Sequence, residues 1–281
     1  MKIAYGTYAM PTMPLEEAFP TLARIGYDGV EICLSSRHVG ATADQMDTQR
    51  RTRLRDLLRG HGLGVPAIFI LGGIYTPNQE DHQANLERMR VCAGLARDLG
   101  MDEPPVLATG FGGRNEEWDA IKRELVEQLR DYAEVAEQED FILAGEAHAG
   151  AAVNCSERIV WLLDEVAHPR IRLHFDIVHL FLAGEPIEDA VMTLVPYTAH
   201  THITDARRHE DGTFELVLLG QGELDAATYV RAMRDAGWEG YITLEVSAMV
   251  WSQDDYDPVA AAEFCYESLT TAFERAGAPR G

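Results

Sequence analysis

Apolar and polar positions change period repeatedly along the chain, from short runs that are apolar throughout to longer stretches with an apolar residue every third or fourth place. The first kind reads as strands buried on both faces, the second as amphipathic helices. KIAYGTY predicts the first strand, and a helix follows in which Leu15, Ala18, Leu22 and Ile25 recur at helical steps until Gly26 stops it. GVEIC is the second strand, a polar, arginine-rich helix runs from about residue 47 to 59, and VPAIFIL makes a third strand ending at Gly72 and Gly73. Those glycines either turn the chain or let backbone lie close to a ligand. The alternation continues through a helix over about 81–99, strand VLATG, a helix over about 116–137, strand FILAGE, a helix over 156–166 and strand IRLHFD. A helix entered through Pro186 then leads to strand TAHTHIT. HEDGTFELVLL predicts a small hairpin with Asp211 and Gly212 at its turn. After GQGELD come a helix carrying Tyr229, Met233 and Ala236, strand YITLEV, and a last helix with a full set of signals. Asp257 can cap it, Pro258 fits its first position, Val259, Ala262, Tyr266, Leu269 and Phe273 form its stripe, and Gly277 ends it. Strand then helix, eight times over, predicts an α/β protein built as a single (β/α)8 barrel, one domain over residues 1–281.

Four of these strands stop on a side chain able to hold a divalent metal: FILAGE on Glu146, IRLHFD on Asp176, TAHTH on His202 and YITLE on Glu245. Spacings of 30, 26 and 43 residues keep the four far apart along the chain. In a closed parallel barrel, however, the strand ends rim the one face that carries chemistry, so the quartet would converge. In the plainer alternative, Glu146 and Glu245 form structural ion pairs and His202 is a satisfied core histidine. Buried carboxylates lacking a cation are costly to keep charged, which favours the metal. Three carboxylates and one imidazole are mostly hard donors; Mn²⁺ is the expected ion, with Mg²⁺, Co²⁺, Fe²⁺ and Zn²⁺ tolerated. His179 lies three residues past Asp176, where a loop would hold it over the metal as a substrate contact, a further ligand or a plain loop histidine. Of Arg207 and Arg208, one could point at a substrate oxygen, and Arg208 is favoured. Tyr5, Tyr8, Phe111, Trp118 and Phe181 fall near strand ends, either as an apolar wall for a ligand or as ordinary packing.

With 281 residues, 46% of them hydrophobic, the chain can build a substantial core. Its formal charge of −22, from 24 basic and 46 acidic residues, repels phosphate backbones and anionic lipid, which argues against nucleic-acid and membrane partners. Cys33, Cys92, Cys155 and Cys265 are scattered and read as free thiols. MKIAYGTYAM lacks the basic and apolar regions of a secretion signal, so a cytoplasmic protein acting on a small molecule is expected.

GYDGVEI, the glutamate of LAGEAH, FDIVH, HTHITD, GQGELD and GWEGYITLEVS together resemble the xylose isomerase-like TIM barrels of the sugar phosphate isomerase/epimerase group, over nearly the whole chain. The resemblance implies that Glu146, Asp176, His202 and Glu245 are metal ligands, that Glu146 and Glu245 also act as acid and base, and that His179 and Arg208 bind substrate oxygens. It implies a divalent-metal-dependent isomerase or epimerase of a keto-sugar or related polyol, working by proton transfer through a metal-stabilised enediolate, in a homodimer or homotetramer. There is one departure. Ketose epimerases of the group carry another glutamate six residues after the first ligand, where this chain has Ala152. The first-ligand strand continues instead as EAH, which makes His148 a candidate proton donor or acceptor, or else a partner of Glu146. That raises an alternative activity: a lyase of the inosose dehydratase or C-glycoside deglycosidase type, expelling a group beta to the carbonyl. The AP endonuclease branch builds a three-metal cluster with histidines on early strands, and AIFILGG and LATGFGG offer none.

Overall fold

In the computed structural model, which describes residues 1–281, ten strands form. They are β1 (Lys2–Gly6), β2 (Gly29–Leu34), β3 (Ile68–Gly73), β4 (Val106–Gly110), β5 (Ile142–Glu146), β6 (Ile171–Asp176), β7 (Thr198–Ile203), β8 (Asp205–Arg208), β9 (Phe214–Val217) and β10 (Tyr241–Leu244). Eight of them close into a parallel barrel in the order β1-β10-β7-β6-β5-β4-β3-β2, while β8 and β9 pair antiparallel as a separate hairpin. One long helix follows each barrel strand: Leu15–Ile25, Thr48–His61, Gln79–Leu99, Trp118–Glu139, Ser156–Val166, Ile187–Leu194, Ala226–Asp235 and Pro258–Ala276. Short helices Ile177–Leu182 and Ala248–Trp251 are added directly after β6 and shortly after β10, at the face where the strands end. The expected (β/α)8 barrel is therefore the observed fold. No helix is long and apolar enough to cross a membrane, and all four cysteines are free.

Helix ends follow the local chemistry of the chain. In the last helix, the Asp257 carboxylate accepts from Val259 N at 2.9 Å and Ala260 N at 3.1 Å, and Gly277 closes it at φ 60°. Such a cap stabilises by about 1 kcal/mol. Cys265 completes the buried stripe with Ala262, Leu269 and Phe273, whereas Val259 and Tyr266 are only half-buried.

Apart from a cluster of three at the hairpin, Val178, Ala206 and Leu216, apolar burial is divided between two places. A cluster of 72 buried residues lies mainly between strands and helices, whereas only Cys33, Ala67, Phe69, Ala108 and Ala144 form the small cluster assigned by strand alternation to the lumen. The outer shell thus supplies nearly all the hydrophobic stabilisation, which leaves the lumen free for polar groups.

The hairpin starts earlier than its sequence suggested, because Arg207 and Arg208 themselves belong to its first strand and residues 209–213 make the turn. Asp205 explains the shift. Its buried carboxylate accepts from Ala206 N at 2.8 Å and from Gly220, Gly222 and Leu224 N at 2.9 Å each, gathering GQGELD around one side chain. Replacing Asp205 by Ala should leave these amides without an acceptor and destabilise the protein by about 3 kcal/mol or more, measurable by urea unfolding. A loss below about 0.5 kcal/mol would show that the loop is held by other contacts.

Candidate metal centre

The strand order sets β10, β7, β6 and β5 side by side, so Glu245, His202, Asp176 and Glu146 occupy four neighbouring staves. Asp176 lies level with His202 in the β6–β7 ladder, and Glu245, one residue past β10, is tied to β7 through its N–H to Ile203 O at 3.2 Å. One donor atom from each of the four lies within 4.8 Å of all the others. Asp176 and His202 are sealed, while the carboxylates of Glu146 and Glu245 are 9% and 13% exposed and so form the open lip of the cup.

Each member is held by a separate device. Asp176 caps helix Ile177–Leu182 with Oδ1, which accepts from Val178 N at 3.0 Å, and its Oδ2 has no hydrogen-bond partner. His202 Nε2 lies 2.8 Å from Glu31 Oε2, and that oxygen also meets His200 Nε2 at 2.6 Å. His202 Nδ1 stands 3.5 Å from Glu245 and 3.8 Å from Glu146 without a hydrogen bond to either. A ring that donates through Nε2 keeps its Nδ1 lone pair for a cation. The orphaned Asp176 Oδ2 and His202 Nδ1, flanked by two further carboxylates, are a donor set that fits a divalent cation of the oxygen-preferring class.

The electrostatics of the cup lead the same way. Burial, reinforced by Glu245, pushes the carboxyl of Glu146 upward, and burial with Glu245 and Glu146 raises Asp176 well above its usual range. Burial opposes charge on His202, yet Glu31 and Glu245 beside it hold the imidazole well above its ordinary value. Burial also opposes charge on Glu31, but His202 and His200 outweigh it and bring that carboxyl down to about 2. The carboxylates around His202 thus favour positive charge at this point of the lumen, whether from a proton or from a cation.

Above the cup opens a cavity of about 300 Å³, with Tyr8, Phe69, Gly72 and Leu216 among its walls and Glu146, Glu245, His148 and His179 at its polar end. No lysine or arginine lines it. His179 is buried, 3.5 Å from Asp176 Oδ2, and its ring centroid is 3.8 Å from that of the exposed His148. Burial and the neighbouring His148 push His179 well down, toward a neutral ring. His148 Nδ1 is 2.8 Å from Ala149 O, which assigns the hydrogen to Nδ1 and leaves Nε2 free. Ala152 is completely buried. A larger cleft of about 560 Å³, between helices Ala226–Asp235 and Pro258–Ala276, contains none of the quartet.

Other expected contacts fall elsewhere. Arg208 is outside the cavity lining, paired with Glu223 at 3.1 Å and stacked 4.2 Å from the Phe181 ring. Arg207 pairs with Glu215 at 3.0 Å. Tyr8 is the one suggested aromatic that lines the cavity; Tyr5 and Phe111 are in the core, and Trp118 packs on Trp161. Phe69 and Leu216 in the cavity, and Glu31, His174 and His200 beneath the cup, were not singled out from the sequence. For the two histidines a signal existed, because each stands two residues before a member of the quartet on the same strand and so faces the same way.

Comparison with known proteins agrees with this architecture. The family model described as xylose isomerase-like TIM barrel matches residues 19–267, and the chain belongs to that family. A fructoselysine 3-epimerase of Escherichia coli O157:H7 is 23% identical over 266 residues, covering 90% of this chain and 93% of that one. An inosose dehydratase of Clostridium perfringens is 25% identical over 162 residues, 52% of each chain. Among solved structures, the IOLI protein with a bound zinc atom superposes with a TM-score of 0.79 at 16% identity, over 99% of this chain and 98% of that one.

Chelator-stripped protein should gain stability when Mn²⁺ is added, by about 2.7 kcal/mol at a hundredfold excess over Kd. Because His202 holds its proton more tightly than a free imidazole, the gain should shrink as pH is lowered from about 8 to about 6. Calorimetric melting at several pH values checks this; a gain independent of pH would remove His202 from the ligand set.

Proposed function

We propose that the protein is a divalent-cation-dependent isomerase or epimerase of an uncharged keto-sugar or related polyol, with Mn²⁺ the favoured ion. One observation carries this: Glu146 and Glu245 are the outer members of the four-strand arc β5-β6-β7-β10, and both reach the cavity. Two carboxylates approaching from opposite ends of an arc can serve opposite sides of a bound carbon. A cavity lined by no arginine or lysine suits a substrate without phosphate or carboxylate.

A cation held by Glu146, Asp176, His202 and Glu245 would polarise a substrate carbonyl and acidify the neighbouring C–H. One glutamate then removes that proton, and the other returns a proton to the same carbon from the far side, inverting it. Return to the adjacent carbon, with a hydroxyl proton shifted, gives isomerisation. His179, neutral and beside Asp176, hydrogen-bonds a substrate hydroxyl and fixes the sugar's orientation. Tyr8 and Phe69, packed edge to face at 6.0 Å, cover the apolar side of the ring and exclude water. Arg208 would meet only a substrate that outgrows the cavity and draws it from Glu223.

His148 favours a second reading. It lies exposed in the cavity wall with Nε2 unengaged, and as an imidazolium it would carry there a second proton to give to a departing group, so elimination from a keto-sugar is the alternative. The epimerase and dehydratase relatives are consistent with both.

Incubation of neutral ketoses, inososes and 3-keto-glycosides with the Mn²⁺ protein in D₂O separates them. Deuterium gained beside the carbonyl without a change of formula supports isomerisation; loss of water or an aglycone supports elimination; neither outcome with any substrate counts against both. Glu146→Gln and Glu245→Gln should each lower turnover by about 10²–10⁴-fold. His148→Ala should leave proton exchange largely intact if the enzyme isomerises, and abolish product formation if it eliminates.

A further inference from the structure

One layer deeper in the lumen lies a second polar set that the proposed reaction does not use. His174 and His200 stand two residues before Asp176 and His202 on β6 and β7, and Glu31 comes across from β2. Glu31 and His174 are completely buried and His200 nearly so. Strand alternation puts Ala67, Ala108 and Ala144 on the opposite arc of the lumen, inside the small apolar cluster with Cys33 and Phe69. Barrels of this type usually fill such a layer with bulky branched side chains. Here a polar arc faces an alanine arc.

Hydrogen-bond accounting in this layer does not close. Glu31 Oε2 meets both His200 and His202, but Glu31 Oε1, both ring nitrogens of His174 and Thr243 Oγ1 have no partner. Each orphaned buried group costs about 1–3 kcal/mol, so their concentration in one place calls for a polar occupant. Ligand atoms from Glu31, His174, His200 and His202 lie within 4.8 Å of one another. Charge points to a cation rather than water. Glu31, Glu146, Asp176 and Glu245 bring four carboxylates into the lumen, and histidines are their only ion-pair partners. One divalent ion balances half of that charge and two balance all of it. A second cavity of about 180 Å³, lined by His200 and Tyr241, gives an approach from the opposite end of the barrel.

We propose that Glu31, His174 and His200 bind a second divalent cation of the nitrogen-preferring, zinc class, beneath the first site and separated from it by the His202 ring. Imidazole with a single carboxylate is a zinc donor set, distinct from the carboxylate-rich cup above it. Glu31 binds through Oε1 and keeps His202 on Oε2. His200 turns its Nε2 lone pair to the ion, its ring hydrogen passing to Nδ1.

Full-length protein stripped with chelator, reloaded with Zn²⁺ and freed of excess should retain two equivalents per chain by elemental analysis. His174→Ala should retain one, and Glu245→Gln, which alters only the upper cup, should keep the lower one. A single equivalent in the wild type, retained unchanged by His174→Ala, overturns the proposal while leaving the upper site intact. Should His174→Ala fail to fold, Co²⁺ loading of the wild type decides instead. A nitrogen-rich, low-coordinate centre adds intense visible bands to the weak absorption of an oxygen-rich one, and their absence with Co²⁺ in excess overturns the proposal.

Discussion

Four carboxylates enclosed in a barrel whose lumen gives them no lysine or arginine set the terms for the rest of the molecule. Like charges so close in a low-dielectric interior repel strongly, and desolvation penalises each of them further. The same crowding raises the carboxyls of Asp176 and Glu146 and raises the imidazole of His202. Protons and a divalent cation would thus compete for the same four side chains.

The fold tolerates this because its stability is gathered elsewhere. Nearly all apolar burial lies in the shell between strands and helices, so the lumen need not be a hydrophobic core. Local devices then keep the polar groups in place: Asp176 is fixed by capping the helix it begins, and His202 by the carboxylate behind it. The same capping bond satisfies one Asp176 oxygen and leaves the other without a hydrogen-bond partner, so one side chain both begins a helix and offers an oxygen to the cup.

Much of this was legible in the sequence, for reasons visible in particular residues. The apolar runs and the Asp257, Pro258 and Gly277 signals are local, and eight repetitions of strand and helix leave little freedom for the topology. The quartet was legible because each member ends or nearly ends its strand and a parallel barrel aligns strand ends. Glu31 was not, because it sits in mid-strand among apolar neighbours and its partners are 169 and 171 residues away. The aromatics misled because nearness to a strand end does not say which way a ring turns: Tyr5 and Phe111 face the core, while Phe69 faces the cavity from within its strand. Arg208 follows His202 closely enough to suggest a substrate contact, yet hairpin pairing and Glu223 carry its side chain off.

The hairpin itself has a wider consequence. Leu216, on its second strand, contributes to the cavity wall, although the hairpin shares no ladder with the barrel and is anchored through Asp205. A change in its length or composition would reshape that wall and leave the barrel ladder that carries the quartet as it is. The rim of the cavity and the donors at its floor are thus the work of separate parts of the chain, each free of the other's geometry.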